Sequence, residues 1–298
     1  AIDEANLSII PRSKTFAIFS AILLVASLAT VVVRGFDFSI DFLGGQVYTV
    51  QYSETGAHEE DLSKVAASAG LTNAKVRSYG DQAKNMYQIS LKKTDDATVK
   101  DRLQKALDDA GQKAQIIASD EVGPTIGKEL RFNAILSIIL SWIAICLYIW
   151  FRFGKLGLGF GVGALVGLVH DTIISIGFIS LMGLSVDGAL IASVLTLIGY
   201  TINDKIVVFD RIRENSQIYG RSNFPKLVNS SINQCFSRTI ITSLTTLFVC
   251  LILAVMGGSS IRDFGLVMVF GIIIGTYSSI TISSPFVVWW SKRFRSGV

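Results

Sequence analysis

Gly265-Leu-Val-Met-Val-Phe-Gly-Ile-Ile-Ile-Gly-Thr-Tyr-Ser-Ser-Ile-Thr-Ile-Ser-Ser-Pro-Phe-Val-Val-Trp-Trp290 runs for 26 residues without a charged side chain. A helix rises ~1.5 Å per residue and needs roughly 20 apolar residues to cross a hydrocarbon core of ~30 Å, so this stretch can span a bilayer. Working outward, Thr239–Ile261, Phe132–Phe151 and Thr15–Val33 are uncharged over 23, 20 and 19 residues. Leu156–Leu184 is interrupted only by His170 and Asp171, and Gly188–Phe209 only by Asp204 and Lys205. Six crossings follow. Half of the 298 residues are hydrophobic, only 17% are charged and the mean hydropathy is +0.52. That apolar content excludes a disordered chain, and Gly 26, Pro 4 and Cys 3 exclude a collagen-like or disulfide-rich class.

The first apolar run is longer than the ~7–15 residues of a signal peptide's core. Arg34-Gly35-Phe36-Asp37 after it has no small-x-small cleavage pattern, so it is expected to stay as a helix. The chain begins Ala1-Ile2-Asp3 rather than with methionine, which fits a processed chain or a piece of a longer polypeptide. Arg12 and Lys14 precede the first run, Arg152 and Lys155 lie between the second and third, and Arg211, Arg213, Arg221 and Lys226 between the fourth and fifth. Lys292, Arg293 and Arg295 follow the sixth, whereas the opposite turns hold Asp187 in one and Arg262 with Asp263 in the other. Positive residues collect on the cytoplasmic side, so both termini are expected there. The pI near 8.9 is then an orientation signal and gives no reason to invoke nucleic acid. Cys146 and Cys250 fall in membrane runs and Cys235 on the cytoplasmic side, which suggests no disulfide framework.

Three units are expected: residues 1–34, a cytoplasmic segment with the first membrane helix; 35–131, an external domain; and 132–298, the remaining five helices with a short cytoplasmic end. Residues 35–131 hold 12 Lys/Arg and 15 Asp/Glu, polar enough for a soluble domain. Gln46–Ser53 alternates as a strand, and His58–Ala69 carries Leu62, Val65, Ala66 and Ala69 at helical spacing. Ala74–Tyr79 and Met86–Lys92 read as strands around a Gly80-Asp81 turn. Asp96–Ala110 shows Val99, Leu103, Ala106 and Leu107 on one face, and Ala114–Ser119 closes the set. The βαββαβ order is that of a ferredoxin-like α+β domain.

No zinc-protease helix or serine-hydrolase elbow is present. Gly123-Pro-Thr-Ile-Gly127-Lys128-Glu129 is one residue short of a phosphate loop, and Glu replaces its Ser/Thr, so an enzyme with a nucleotide site is not expected. No cofactor or metal is implied. The informative residues are the ionisable groups in the membrane runs, which cost about 2.5–3.5 kcal/mol each at a helix centre and commonly mark ion paths. Asp204 shares a helical stripe with Ser193, Thr196, Tyr200 and Thr201; Arg238 opens a second with Thr242, Thr245 and Thr246; His170-Asp171 with Ser175 form a third. Together they suggest a hydrated seam. Against this stand plainer readings. They take Asp204 as a structural partner of Lys205 or Arg238, Lys205 as a cation snorkelling to the cytoplasmic surface, Arg238 as an orientation charge and His170 as a satisfied polar residue.

Gly159, Gly163 and Gly167, and likewise Gly271, Gly275, Ser279 and Ser283, recur every fourth residue and predict close helix contacts. Pro285 is expected to kink the sixth helix. Asp210–Phe236 is amphipathic and basic, and reads as an interfacial helix or partner contact.

Asp41-Phe-Leu-Gly44-Gly45, Val122-Gly123-Pro124 and Val169-His170-Asp171 resemble the motifs of the SecF family. So do Ile198-Gly-Tyr-Thr-Ile-Asn203-Asp204-Lys-Ile-Val-Val-Phe-Asp210-Arg211-Ile-Arg213-Glu214-Asn215 and Arg238-Thr-Ile-Ile-Thr-Ser-Leu-Thr-Thr246. Lys205 departs from the family pattern, where a small residue is common. The resemblance implies half of a twelve-helix bundle like that of the RND transporters, completed by SecD as a separate or fused chain. It further implies association with the SecYEG channel and YidC, and use of the proton-motive force to promote late protein export and membrane-protein insertion. Contact with unfolded preprotein on the external side belongs to the same picture. The positions matching Asp204 and Arg238 are tied to proton conduction in the family, and Asp171, His170, Asn203, Tyr200 and Thr242 complete the expected pathway. The alternatives are half of an RND-type exporter of small molecules or lipids, and a passive scaffold without ion flux.

Overall fold

The computed structural model describes residues 7–52, 59–71, 74–78, 85–91, 98–111 and 113–294. The Gly80-Asp81 turn and the opening Ala1–Asp3 lie outside these. Among the described residues, six helices are long and apolar enough to cross a membrane. They are α1 (Ser13–Arg34), α5 (Pro124–Phe153), α6 (Gly157–Met182), α7 (Gly188–Tyr219), α8 (Phe224–Met256) and a last span made of α9 (Ser259–Ser278) and α10 (Ser284–Phe294). A π-helical turn, Ser279–Ser283, joins α9 to α10. Pro285 stands two residues beyond it and has no N–H to give to a preceding carbonyl, which is a recognised reason for a regular ladder to break.

Between α1 and α5 lie β1 (Asp37–Phe38), α2 (Ile40–Leu43), β2 (Gly45–Tyr52), α3 (Glu59–Ser68), β3 (Lys75–Ser78), β4 (Met86–Leu91), α4 (Val99–Asp109) and β5 (Ala114–Val122). The last four strands form an antiparallel sheet in the order β3-β4-β2-β5. Strand period sorts β2 into two faces. Tyr48, Val50 and Tyr52 join Leu62, Val65, Ala66 and Ala69 of the α3 segment and Val99, Leu103 and Leu107 of α4 in one buried core. The other face, with Val47, borders a cavity of about 640 Å³ between the sheet, the segments Phe36–Leu43 and Ser185–Asp187, and the first turn of α9.

Three attachments fix this unit to the helices. Asp37 accepts from Lys75 and Arg77 of the edge strand. β1 pairs in parallel with β6 (Ser185–Val186), in the turn between α6 and α7. Gly44 and Gly45 have φ of 75° and 155°, and a Cβ on Gly44 would lie 2.7 Å from Pro124 Cα, so a side chain there would push α2 off α5.

In the bundle α6, α7 and the last span are central, while α1 and α5 keep most of their surface exposed. The expected small-residue faces meet partners: Gly159 faces Trp290, Gly163 faces Val287, Gly271 faces Leu197 and Gly275 faces Thr201. The expected interfacial helix over Asp210–Phe236 is corrected. At 32 residues α7 is about 48 Å long, and α8 begins at Phe224 rather than near Arg238. Both membrane helices run on into a hairpin turning at Gly220 (φ 69°). Its apolar stripe faces inward, burying Phe209, Ile212, Phe224, Val228 and Ile232 in the bundle core. Asn215 Nδ2 donates to Ser231 Oγ at 2.7 Å inside the hairpin.

Candidate ion-coupling site

The site grows from residues that helical spacing places on inward faces. His170 and Asp171 come from α6; Thr201, Asp204 and Lys205 from α7; Ser243 from α8; Thr276, Tyr277 and Ser278 from α9. All but Thr276 and Tyr277 are buried. Asp171 is engaged on both oxygens. His170 Nδ1 donates to its Oδ1 at 3.0 Å and Lys205 Nζ to its Oδ2 at 2.8 Å. The ammonium also reaches Ser278 Oγ at 3.2 Å and Thr201 O at 3.4 Å.

Asp204 is placed differently. It is 3% exposed, its hydrogen-bond partner is Ser243 Oγ at 3.4 Å, and it forms no ion pair among the described residues. Ser243 Oγ and Thr276 Oγ1 stand 2.7 Å apart, so Thr276, Ser243 and Asp204 form a chain of oxygens across three helices. An ionised carboxylate buried without a cation is expensive. His170 Nε2, Ser175 Oγ, Thr201 Oγ1 and Ser283 Oγ, all on the helices around the site, are buried without a protein partner. No group of three or more His, Cys, Asp or Glu arranged to hold a metal ion occurs among the described residues.

Of the expected residues, His170, Asp171 and Asp204 lie together in the buried centre. Tyr200 stands at its edge, donating to Thr242 O at 3.0 Å. Asn203 is exposed and turned away, as is Arg238, so no Asp204–Arg238 pair is formed. Thr242 Oγ1 spends its hydrogen on Arg238 O of its own helix, and Thr245 and Thr246 bond Thr242 O. The expected α8 stripe is thereby corrected: Ser243, one residue along, is the hydroxyl that faces Asp204. The snorkelling of Lys205 is also overturned. Its side chain is 0% exposed because Asp171, Ser278 and the Thr201 carbonyl offer better partners than a distant surface. Lys205, Ser243, Thr276 and Ser278 were the residues missed. The density of hydroxyls in 276–284 was the signal for Thr276 and Ser278, where Ser279 and Ser283 read as packing residues.

Fold and site together define a polytopic membrane protein with a charged and hydroxyl-rich seam in a six-helix bundle. Comparison with known proteins gives it a family. The model of the protein export membrane protein SecD/SecF C-terminal region matches residues 102–293, and that of the SecD/SecF GG motif matches residues 30–55. The chain therefore belongs to the SecD/SecF family. It is 36% identical to protein translocase subunit SecF of Desulfurispirillum indicum over 291 residues, covering 95% of this chain and 91% of that one. It is 42% identical to protein translocase subunit SecDF of Thermus thermophilus over 278 residues, covering 92% of this chain but 37% of that one. The crystal structure of SecDF, a translocon-associated membrane protein of Thermus thermophilus, superposes with a TM-score of 0.85 at 36% identity. That match covers 98% of this chain and 40% of the solved one.

Proposed function

We propose that the chain is an auxiliary subunit of the bacterial Sec protein-export machinery. With SecD it uses the proton-motive force to promote late translocation and membrane-protein insertion, working beside the SecYEG channel and YidC. Residues 1–34 and 132–298 form the membrane part, with both termini cytoplasmic as the basic loops indicate. Residues 35–131 form a ferredoxin-like domain outside, where it meets unfolded preprotein; the sheet order β3-β4-β2-β5 with two crossover helices supports that reading.

The observation that carries the coupling is Asp204, a buried carboxylate whose hydrogen-bond partner is a hydroxyl and which forms no ion pair among the described residues. Such a group is stable when neutral and releases its proton only when a cation or water reaches it. Thr276 and Ser243 supply oxygens along one approach, and His170, Asp171 and Tyr200 flank it. Arg238, with Thr242 one turn along its own helix and Asn203 beside Asp204 on α7, is the cation that closes on Asp204 in another conformation. Pairing and release then shift α7 against α9 along the Gly271–Leu197 and Gly275–Thr201 contacts.

The test is Asp204→Asn, which keeps the shape and removes the ionisable group. In vesicles holding the complete translocase it should abolish proton flux and gradient-stimulated export while leaving the chain folded and bound to SecD. Normal flux and export at full expression would rule out coupling through this carboxylate and leave a structural scaffold.

A further inference from the structure

Lys205 has no place in the pathway just proposed, yet its surroundings are built around it. The side chain is 0% exposed in the centre of the bundle. Its ammonium has three N–H donors, and three oxygens receive them: Asp171 Oδ2 at 2.8 Å, Ser278 Oγ at 3.2 Å and Thr201 O at 3.4 Å. A neutral amine has two hydrogens and a lone pair, and would leave one of these acceptors facing that lone pair. The stem is accommodated as well. A Cβ on Gly167 of α6 would collide with Ser283 Oγ and stand 2.5 Å from Lys205 Cε, so the glycine leaves the space through which the lysine passes.

We infer that Lys205 is a fixed internal cation that locks Asp171 as a permanently ionised, non-exchanging carboxylate. Asp171 is closed on its other side by His170 Nδ1. The titratable groups around the ammonium are His170 and Asp171 on α6, Asp204 on its own helix and Tyr277 on α9. Tyr277 is committed elsewhere, its hydroxyl donating to Phe16 O at 3.1 Å. The two buried acids therefore divide the work: Asp171 anchors, and Asp204 is left to exchange a proton with water. That division deepens the proposed coupling and rests on it only for the role of Asp204.

The experiment is pH-jump infrared difference spectroscopy on the full chain in lipid vesicles. Above the signals of the exposed Asp and Glu, the wild type should show one buried protonated-carboxyl signal, absent from Asp204→Asn and retained in the neutral double variant Lys205→Met/Asp171→Asn. Lys205→Met, unbranched and uncharged, strands the Asp171 charge and should add a second signal, which disappears in Lys205→Met/Asp171→Asn. A Lys205→Met spectrum identical to the wild type overturns the inference. If the wild-type signal survives Asp204→Asn while Lys205→Met still adds the Asp171 signal, the fixed cation stands and the proton role of Asp204 falls. Should Lys205→Met fail to fold, the double variant decides. A lone buried charge is far more damaging than a neutral pair, so Lys205→Met/Asp171→Asn should recover the yield. A double variant as impaired as the single one overturns the inference.

Discussion

Gly167 and Lys205 occupy one space: the missing side chain on α6 is the channel through which the lysine stem on α7 reaches Asp171. Gly167→Ala should therefore destabilise by overpacking, by about 1–3 kcal/mol, lowering the unfolding temperature of the detergent-solubilised protein. Gly167→Ala combined with Ser283→Gly should regain part of the loss, because Ser283 Oγ is the atom met first.

Arg238→Lys tests the second half of the coupling cycle. The arginine is exposed here. Lysine lacks the planar fork and loses its proton more readily when desolvated. Proton flux in vesicles should fall to a partial level, with expression unchanged. Full flux would make Arg238 an orientation charge only.

The unit between α1 and α5 should fold alone. Residues 36–123, excised, should give a cooperative thermal transition and an α+β circular dichroism spectrum, since Tyr48, Val50, Leu62, Ile89, Leu103 and Leu107 form a closed core.

A pH effect belongs to the same unit. Burial first, then the neighbouring Tyr87 and Asp61, pushes the Tyr52 hydroxyl up from 10.0 to about 12. The folded state thus holds this proton more tightly than the unfolded chain. The contribution is complete below pH 10 and is lost as pH rises to about 12. Denaturant midpoints of the excised unit should drop over that window, and Tyr52→Phe should flatten the drop.

The segment before α1 is held by two asparagines of α8. Asn229 Oδ1 accepts from Ile9 N and Ile10 N, Asn233 Oδ1 accepts from Leu7 N, and both amides donate to Leu7 O. Asn229→Ala/Asn233→Ala removes five hydrogen bonds to this segment, each worth about 0.5–1.5 kcal/mol net. Protease cleavage around Leu7–Arg12 should accelerate, with the bundle's own unfolding temperature little changed.

The membrane helices and the two-faced strand at 45–52 were legible because charge-free length and strict alternation are one-dimensional signals. Lys205 was not. Snorkelling is judged from distance to a surface along one helix, whereas its true partners, Asp171 and Ser278, sit on two other helices. The same limit explains Ser243 and Thr242. Neighbours in sequence point about 100° apart on a helix, and only packing decides which of the two meets Asp204. The long hairpin was hidden for a different reason: charges at Asp210, Arg211 and Arg213 end a membrane run, but they do not end a helix whose apolar stripe continues through Ile212.

The parallel pairing of Asp37–Phe38 with Ser185–Val186 turns the link between the sheet unit and the bundle into a mechanical one. A body tied only at its two chain ends can swivel like a door. A further backbone splice, at the junction of α6 and α7, removes the swivel and makes the body's tilt a gauge of helix height. Lengthwise travel of α6 or α7 past α1 would therefore pull on β1 and, through it, on the sheet unit.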